Sequence, residues 1–80
     1  MTDYYLEFTI HDGSRQALAL YRRDDENGLA VDRRYTRDGT WVPTGEIAAW
    51  DLGLGDLDVE HVDPGAAAAF IQSVRSTFTE

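Results

Sequence analysis

A chain of 80 residues has room for one domain with one modest core, and 42% hydrophobic with 28% charged residues is the make-up of a folded protein rather than a disordered tail. Zero cysteines exclude disulfides, thiolate chemistry, zinc fingers and iron–sulfur clusters, so apolar packing alone has to hold the fold. The net charge of −8 disfavours nucleic-acid phosphates as direct partners, no apolar run approaches the ~20 residues of a membrane span, and Asp3 and Glu7 stand where a secretory signal would be basic, which points to the cytoplasm.

Residues 4–11 alternate, with Tyr4, Leu6, Phe8 and Ile10 on one face and Tyr5, Glu7, Thr9 and His11 on the other, the period of a half-buried strand. Asp12, Gly13 and Ser14 supply a hairpin turn, and residues 16–22 read as a second strand with Leu18 and Leu20 inward. The polar run 24–28 ends in Asn27-Gly28 and is a turn by its chemistry. A third strand over 29–35 places Leu29, Val31, Arg33 and Tyr35 on one face. Pairing Gln16 with about Tyr35 would gather Arg15, Arg33, Arg34 and Arg37 at one end of this hairpin, with Arg33 and Arg34 on opposite faces. Asp12, Asp32 and Asp38 lie close enough in sequence to make salt bridging their expected role.

After a turn at Arg37-Asp38-Gly39, residues 40–42 form a short fourth strand stopped by Pro43, which has no amide hydrogen for a ladder. The strands so far make an up-and-down antiparallel meander. Thr44 caps a short helix over 46–52 in which Ile47, Trp50 and Leu54 share a side, and Gly53 ends it. Residues 57–62 are either a fifth, edge-type strand or an extended linker. Asp63-Pro64 then puts a good N-cap residue before a proline at the first helical position. Ala67, Phe70, Ile71, Val74 and Phe78 follow at helical spacing, so a helix of about four turns lays that stripe on the sheet. The expected architecture is one α+β domain over residues 1–80: a three- to five-stranded antiparallel meander, the C-terminal helix packed on one face, and the short helix at the edge.

Charge is uneven along the chain. Residues 1–37 carry seven acids against six arginines, whereas residues 38–80 carry eight acids against Arg75 alone. Asp56, Asp58 and Glu60 alternate with Leu57 and Val59, so in an extended segment three carboxylates point one way. A calcium loop wants glycine where His61 stands, which leaves an acidic docking ridge or a solvated strand face. His11 and His61 have no second ligand at metal spacing, and Ser14, Ser73 and Ser76 lack the context of a nucleophile elbow. No metal, cofactor or catalytic role is therefore expected. Trp41 and Trp50 are needed by a core this small, with Trp50 the better interface candidate because Asp51 and the acidic run follow it. The candidate binding residues are Trp50, Asp51, Asp56, Asp58, Glu60 and Asp63.

The segments Leu20-Tyr21-Arg22, Asp38-Gly39-Thr40-Trp41-Val42-Pro43 and Gly55-Asp56 with Asp58, Glu60 and Val62, followed by an alanine-rich closing helix, carry a resemblance. The chain resembles a small uncharacterised domain common in actinobacterial proteins, from Leu18 to about Ile71. It departs from that pattern by lacking an acidic start to the closing helix. The resemblance implies a β-then-helix layout and no activity or site residues. Charge and composition by themselves point to a small acidic protein-binding domain, such as an immunity-type or phage-encoded inhibitor that covers the basic surface of another protein. The alternative is a structural or accessory module that forms a homodimer and whose acidity serves only solubility.

Overall fold

Two short turns place the first three strands. Asp12 and Gly13 both take positive φ, 50° and 78°, and Asn27 and Gly28 do the same at 56° and 80°. Paired left-handed residues match a two-residue turn to the right-handed twist of its strands. The computed structural model describes residues 2–53 and 58–78, with Asp51 and residues 76–78 described by their backbone. In it the two turns join β1 (Thr2–His11), β2 (Ser14–Glu26) and β3 (Leu29–Tyr35). Because only Asn27 and Gly28 turn, Asp24, Asp25 and Glu26 belong to β2 and not to the longer turn that their polarity suggested.

That shorter turn also moves the register. β3 pairs with β2 from Tyr21↔Arg34 to Glu26↔Leu29, so Gln16 faces Thr9 of β1 and not Tyr35. The strand β4 (Trp41–Pro43) pairs with the end of β3, and α1 (Glu46–Asp51) follows. Of the two readings open for the next segment, a strand is found: β5 (Asp58–Val62) pairs antiparallel with β1, from Tyr4↔Val62 to Phe8↔Asp58. Leu54 and Leu57 lie outside the described residues. The sheet order is β4-β3-β2-β1-β5, so four strands form a meander and the fifth returns to the far edge, which a simple up-and-down order does not include. The chain closes with α2 (Pro64–Phe78).

Successive residues of a strand face opposite sides of the sheet. In β2 this applies to Leu20 and Tyr21, which are 0% and 1% exposed. Leu20 is buried with Leu6 and with Ala67 of α2, and Tyr4, Phe8, Phe70 and Ile71 pack around them. Tyr21 is buried with Ala19 and with Ile47 of α1, flanked by Tyr5 and Trp50. The short helix thus sits on the sheet face and not at its edge, because Ile47 is buried against Tyr21 and the Tyr21 hydroxyl reaches Glu46. That hydroxyl also donates to Glu7 at 2.5 Å. A phenol has one hydrogen and serves one carboxylate at a time. Burial first, then these carboxylates, push its pKa far above the ordinary 10.0, so it stays a donor.

One expected core residue is displaced. The β1–β2 ladder slips at Glu7/Phe8, where Glu7 faces Ala19 and Phe8 faces Ala17. Leu18 is the extra residue of this bulge and is 54% exposed, whereas plain alternation would turn it inward beside Leu20. The helix starts also differ from one another. Asp63 Oδ1 accepts the Ala66 N–H at 2.8 Å, as the N-cap pattern predicts. Thr44 Oγ1 accepts the Glu46 N–H at 3.2 Å, but from the residue before the N-cap, which is Gly45.

Replacing Tyr21 by Phe keeps the ring and removes the donor to Glu7 and Glu46, which costs roughly 1–2 kcal/mol in urea unfolding. Leu20→Ala costs roughly 2–5 kcal/mol through lost burial and a cavity. The raised phenol pKa contributes stability that is fully present below the ordinary value of 10.0 and fades as pH rises towards the folded one. The urea midpoint of the wild type therefore falls above that pH more steeply than that of Tyr21→Phe.

Candidate functional site

Pairing Phe8↔Asp58 and Leu6↔Glu60 puts both carboxylates of the edge strand on the Leu6 and Phe8 side of the sheet. Arg15, opposite Ile10 in the β1–β2 ladder, stands on that side as well. Its guanidinium carbon lies 3.8 Å from the Phe8 ring centroid. From there it reaches across β1, with Nε 3.0 Å from Asp58 Oδ2, Nη2 3.0 Å from Asp58 Oδ1, and Nη2 2.8 Å from Glu60 Oε1. The forked contact on Asp58 is the strong bidentate form of an ion pair. Hydrogen bonding from Arg15 holds the Asp58 carboxyl below the usual carboxylate range, against a weaker desolvation effect, and the two acids raise the arginine in turn. Both carboxylate side chains remain about half exposed, 51% and 54%.

Of the remaining candidate residues, Asp63 and Trp50 are engaged elsewhere. Asp63 serves as the N-cap of α2. Trp50 packs edge-on against Tyr5 at 6.2 Å, on the opposite face of the sheet from Asp58 and Glu60. Tyr5 also meets His61 at 5.3 Å, and His61 Nε2 lies 3.1 Å from Asp3 Oδ1. Asp56 lies outside the described residues, as does the side chain of Asp51. His11 sits 3.3 Å from Asp12 on an exposed turn. Among the described residues, no group of three or more His, Asp or Glu side chains is placed to hold a metal ion.

The arginine cluster expected at the end of the second hairpin is divided, because the true register separates its members. Arg15 serves β5, Arg33 pairs with Asp24 at 3.3 Å and Glu26 at 3.0 Å, and Arg34 comes within 3.9 Å of Glu46. Arg33 and Arg34 do face opposite sides of the sheet, as alternation requires. Arg23 grips Asp32 through two contacts of 2.7 and 3.1 Å, and Arg22 lies 2.8 Å from Asp24 and 4.5 Å over the Trp41 ring. Asp24 is held below the usual carboxylate range by the Thr2 hydroxyl and then by Arg22 and Arg33, and Asp38 by the hydroxyls of Thr36 and Thr40.

A second feature was not read from the sequence. β2 has 13 residues and β3 has 7, so among the described residues β2 ahead of Tyr21 has no strand on its outer side. A cleft of about 590 Å³ lies there, bordered by Ala17 and Leu18 of β2, Phe70 and Val74 of α2, and Arg34 and Arg37. The signal was present. Taking Asn27-Gly28 as the turn leaves no β3 residue to pair with the start of β2.

Comparison with protein families, curated proteins and solved structures gives no match for this chain. Among the described residues no helix is long and apolar enough to cross a membrane.

Because the folded-state values of Asp24, Asp38 and Asp58 are lowered, their contribution to stability is present above the ordinary 3.8 and is lost as pH falls through the folded values. Thermal unfolding followed by circular dichroism should show the melting temperature dropping below about pH 4. Asp24→Asn lowers stability at neutral pH and makes this acid limb shallower.

Proposed function

We propose that the chain is a small acidic protein-binding domain without chemistry of its own, which masks a cationic surface of a partner protein in the manner of an immunity-type or phage-encoded inhibitor. We take α2 as laid across the Leu20 face and the cytoplasm as its compartment. The observation that carries this reading is the pair Asp58 and Glu60, fixed side by side and half exposed on the edge strand β5, in a half-chain with eight acids and one base. Arg15 clamps both carboxylates, so less side-chain freedom is lost when a partner arrives. Carboxylate oxygens have further acceptor capacity beyond one guanidinium, so a basic partner side chain adds to the row without displacing Arg15. A net charge of −8 speeds encounter with a basic surface and makes the association sensitive to salt. Trp50, on the other face, enlarges the contact only for a partner that wraps around the β5 edge.

A second reading rests on that same edge. The outer ladder of β5 faces no strand among the described residues, and an exposed edge invites pairing with a second copy, which would make the chain a homodimeric accessory module.

The double variant Asp58→Asn/Glu60→Gln keeps the side-chain shapes and removes two charges. Its affinity for a basic partner isolated on the wild type should fall at least tenfold, with a shallower dependence on salt. Unchanged affinity and salt slope would refute the acidic-surface reading. Light scattering at rising concentration tests the second: a dimer abolished by Val59→Pro, which blocks strand addition at β5, supports it, and a monomer throughout removes it.

A further inference from the structure

We infer that the cleft beside the start of β2 receives an extended acidic segment of another protein as an added strand. The first ground is backbone chemistry. Among the described residues, 14–20 pair with β1 on one side only, since β3 joins β2 no earlier than Tyr21. The outward N–H and C=O groups of this stretch form half a ladder, and such groups are satisfied by another extended chain. Seven residues of strand span roughly 24 Å, which sets the length of the segment that fits.

The second ground is shape. Leu18, pushed out by the bulge and 54% exposed, and Val42, 40% exposed, present apolar surface to the cleft, and Phe70 and Val74 of α2 stand over it. Strand edge below and helix above is an arrangement that reads alternate side chains of an extended peptide while the backbone supplies affinity. Ala17 and Ala19 are small, so they leave the incoming backbone room to approach.

Charge decides what kind of segment it is. The chain carries fifteen acids and seven bases, yet the described residues that border this cleft include two arginines and no acid. Arg34 has Glu46 only at 3.9 Å, the outer limit of an ion pair. A segment with Asp or Glu beside β-branched or aliphatic residues complements both the sign and the apolar floor. A second copy of the chain does so less well, because its own residues 14–20 bring Arg15 and no carboxylate. This cleft lies on the β3 side of β2, away from the acidic pair on β5, so the inference stands independently of the proposed role of Asp58 and Glu60.

The test is affinity selection of a random nonapeptide library, displayed on phage, against the full chain. Acidic peptides with alternating aliphatic residues should be enriched. When they are made synthetically with blocked ends, they should shift the amide resonances of residues 17–19 and 34–37. Leu18→Asp, at a position more than half exposed, should weaken them at least tenfold while leaving the circular dichroism spectrum unchanged, and Val42→Asp should do the same. Arg37→Glu should weaken acidic peptides and restore binding to their lysine-substituted versions, a swap that a purely structural role for Arg37 would not produce. Methylating alternate backbone nitrogens of the peptide should abolish binding. The Asp58→Asn/Glu60→Gln variant should bind these peptides as the wild type does. The inference is overturned if no acidic peptide is enriched, if enriched peptides bind Leu18→Asp equally, or if the wild type dimerises and Leu18→Asp is a monomer, which would make a second copy the occupant.

Discussion

Leu20 and Tyr21 are neighbours in β2 that point to opposite sides of one sheet, and both are wholly buried. A chain of 80 residues can meet that requirement only by dividing its covering residues between the two faces, since it buries little beyond 60% of its unfolded surface. Ala67 of α2 and Ile47 of α1 are the residues that do so. The two faces are finished by different means. On the Leu20 side the contacts are apolar and aromatic, with Trp41 between Tyr4 and Tyr35 at 6.4 and 5.2 Å. On the Tyr21 side six residues of helix are too few to bury much, and the phenol that joins Glu7 and Glu46 adds polar contacts where apolar area is short.

Electrostatics follows from the same ladder. Several ion pairs run between strands that are neighbours in the sheet, as in Arg23 with Asp32 and Arg33 with Asp24, and each is modest in value because it is near solvent. Their larger effect is on register, since a one-residue slip would send each partner to the wrong face. Arg15 instead reaches across β1, over Phe8, and converts two like charges on β5 into a fixed pair. Acids outnumber arginines, so carboxylates remain after these pairings and set the long-range field of the molecule.

What could be read in advance was whatever depended on local chemistry. The alternation of residues 4–11, the turn at Asp12-Gly13, the stop at Pro43 and the cap at Asp63 each rest on a few adjacent residues, and the corresponding elements are found. The errors came where local chemistry was ambiguous or where distant segments decide. Asp24, Asp25 and Glu26 are turn-like by composition, yet Asn27 and Gly28 suffice for the turn, and a shift of a few residues there undid the arginine cluster. No local signal showed that β5 would lie beside β1, so the clamp of Arg15 on Asp58 and Glu60 could not be foreseen, although the shared face of those two acids could. Trp50 precedes the acidic run in sequence but belongs to the opposite face, because α1 packs through Ile47 on the Tyr21 side of the sheet.

The two outer regions of the sheet thus offer opposite surfaces: carboxylates on β5, and an arginine-bordered gap where β2 outruns β3. Both depend on β2 being held firmly at its centre and left single-sided at its start. Amide hydrogen exchange along β2, read by NMR, measures this directly. Amides at the centre, around Leu20 to Arg23, should exchange only through global unfolding, while over residues 14–19 slow amides facing β1 should alternate with fast ones facing the gap. Uniform slow exchange over residues 14–19, or fast exchange at the centre, would contradict the account.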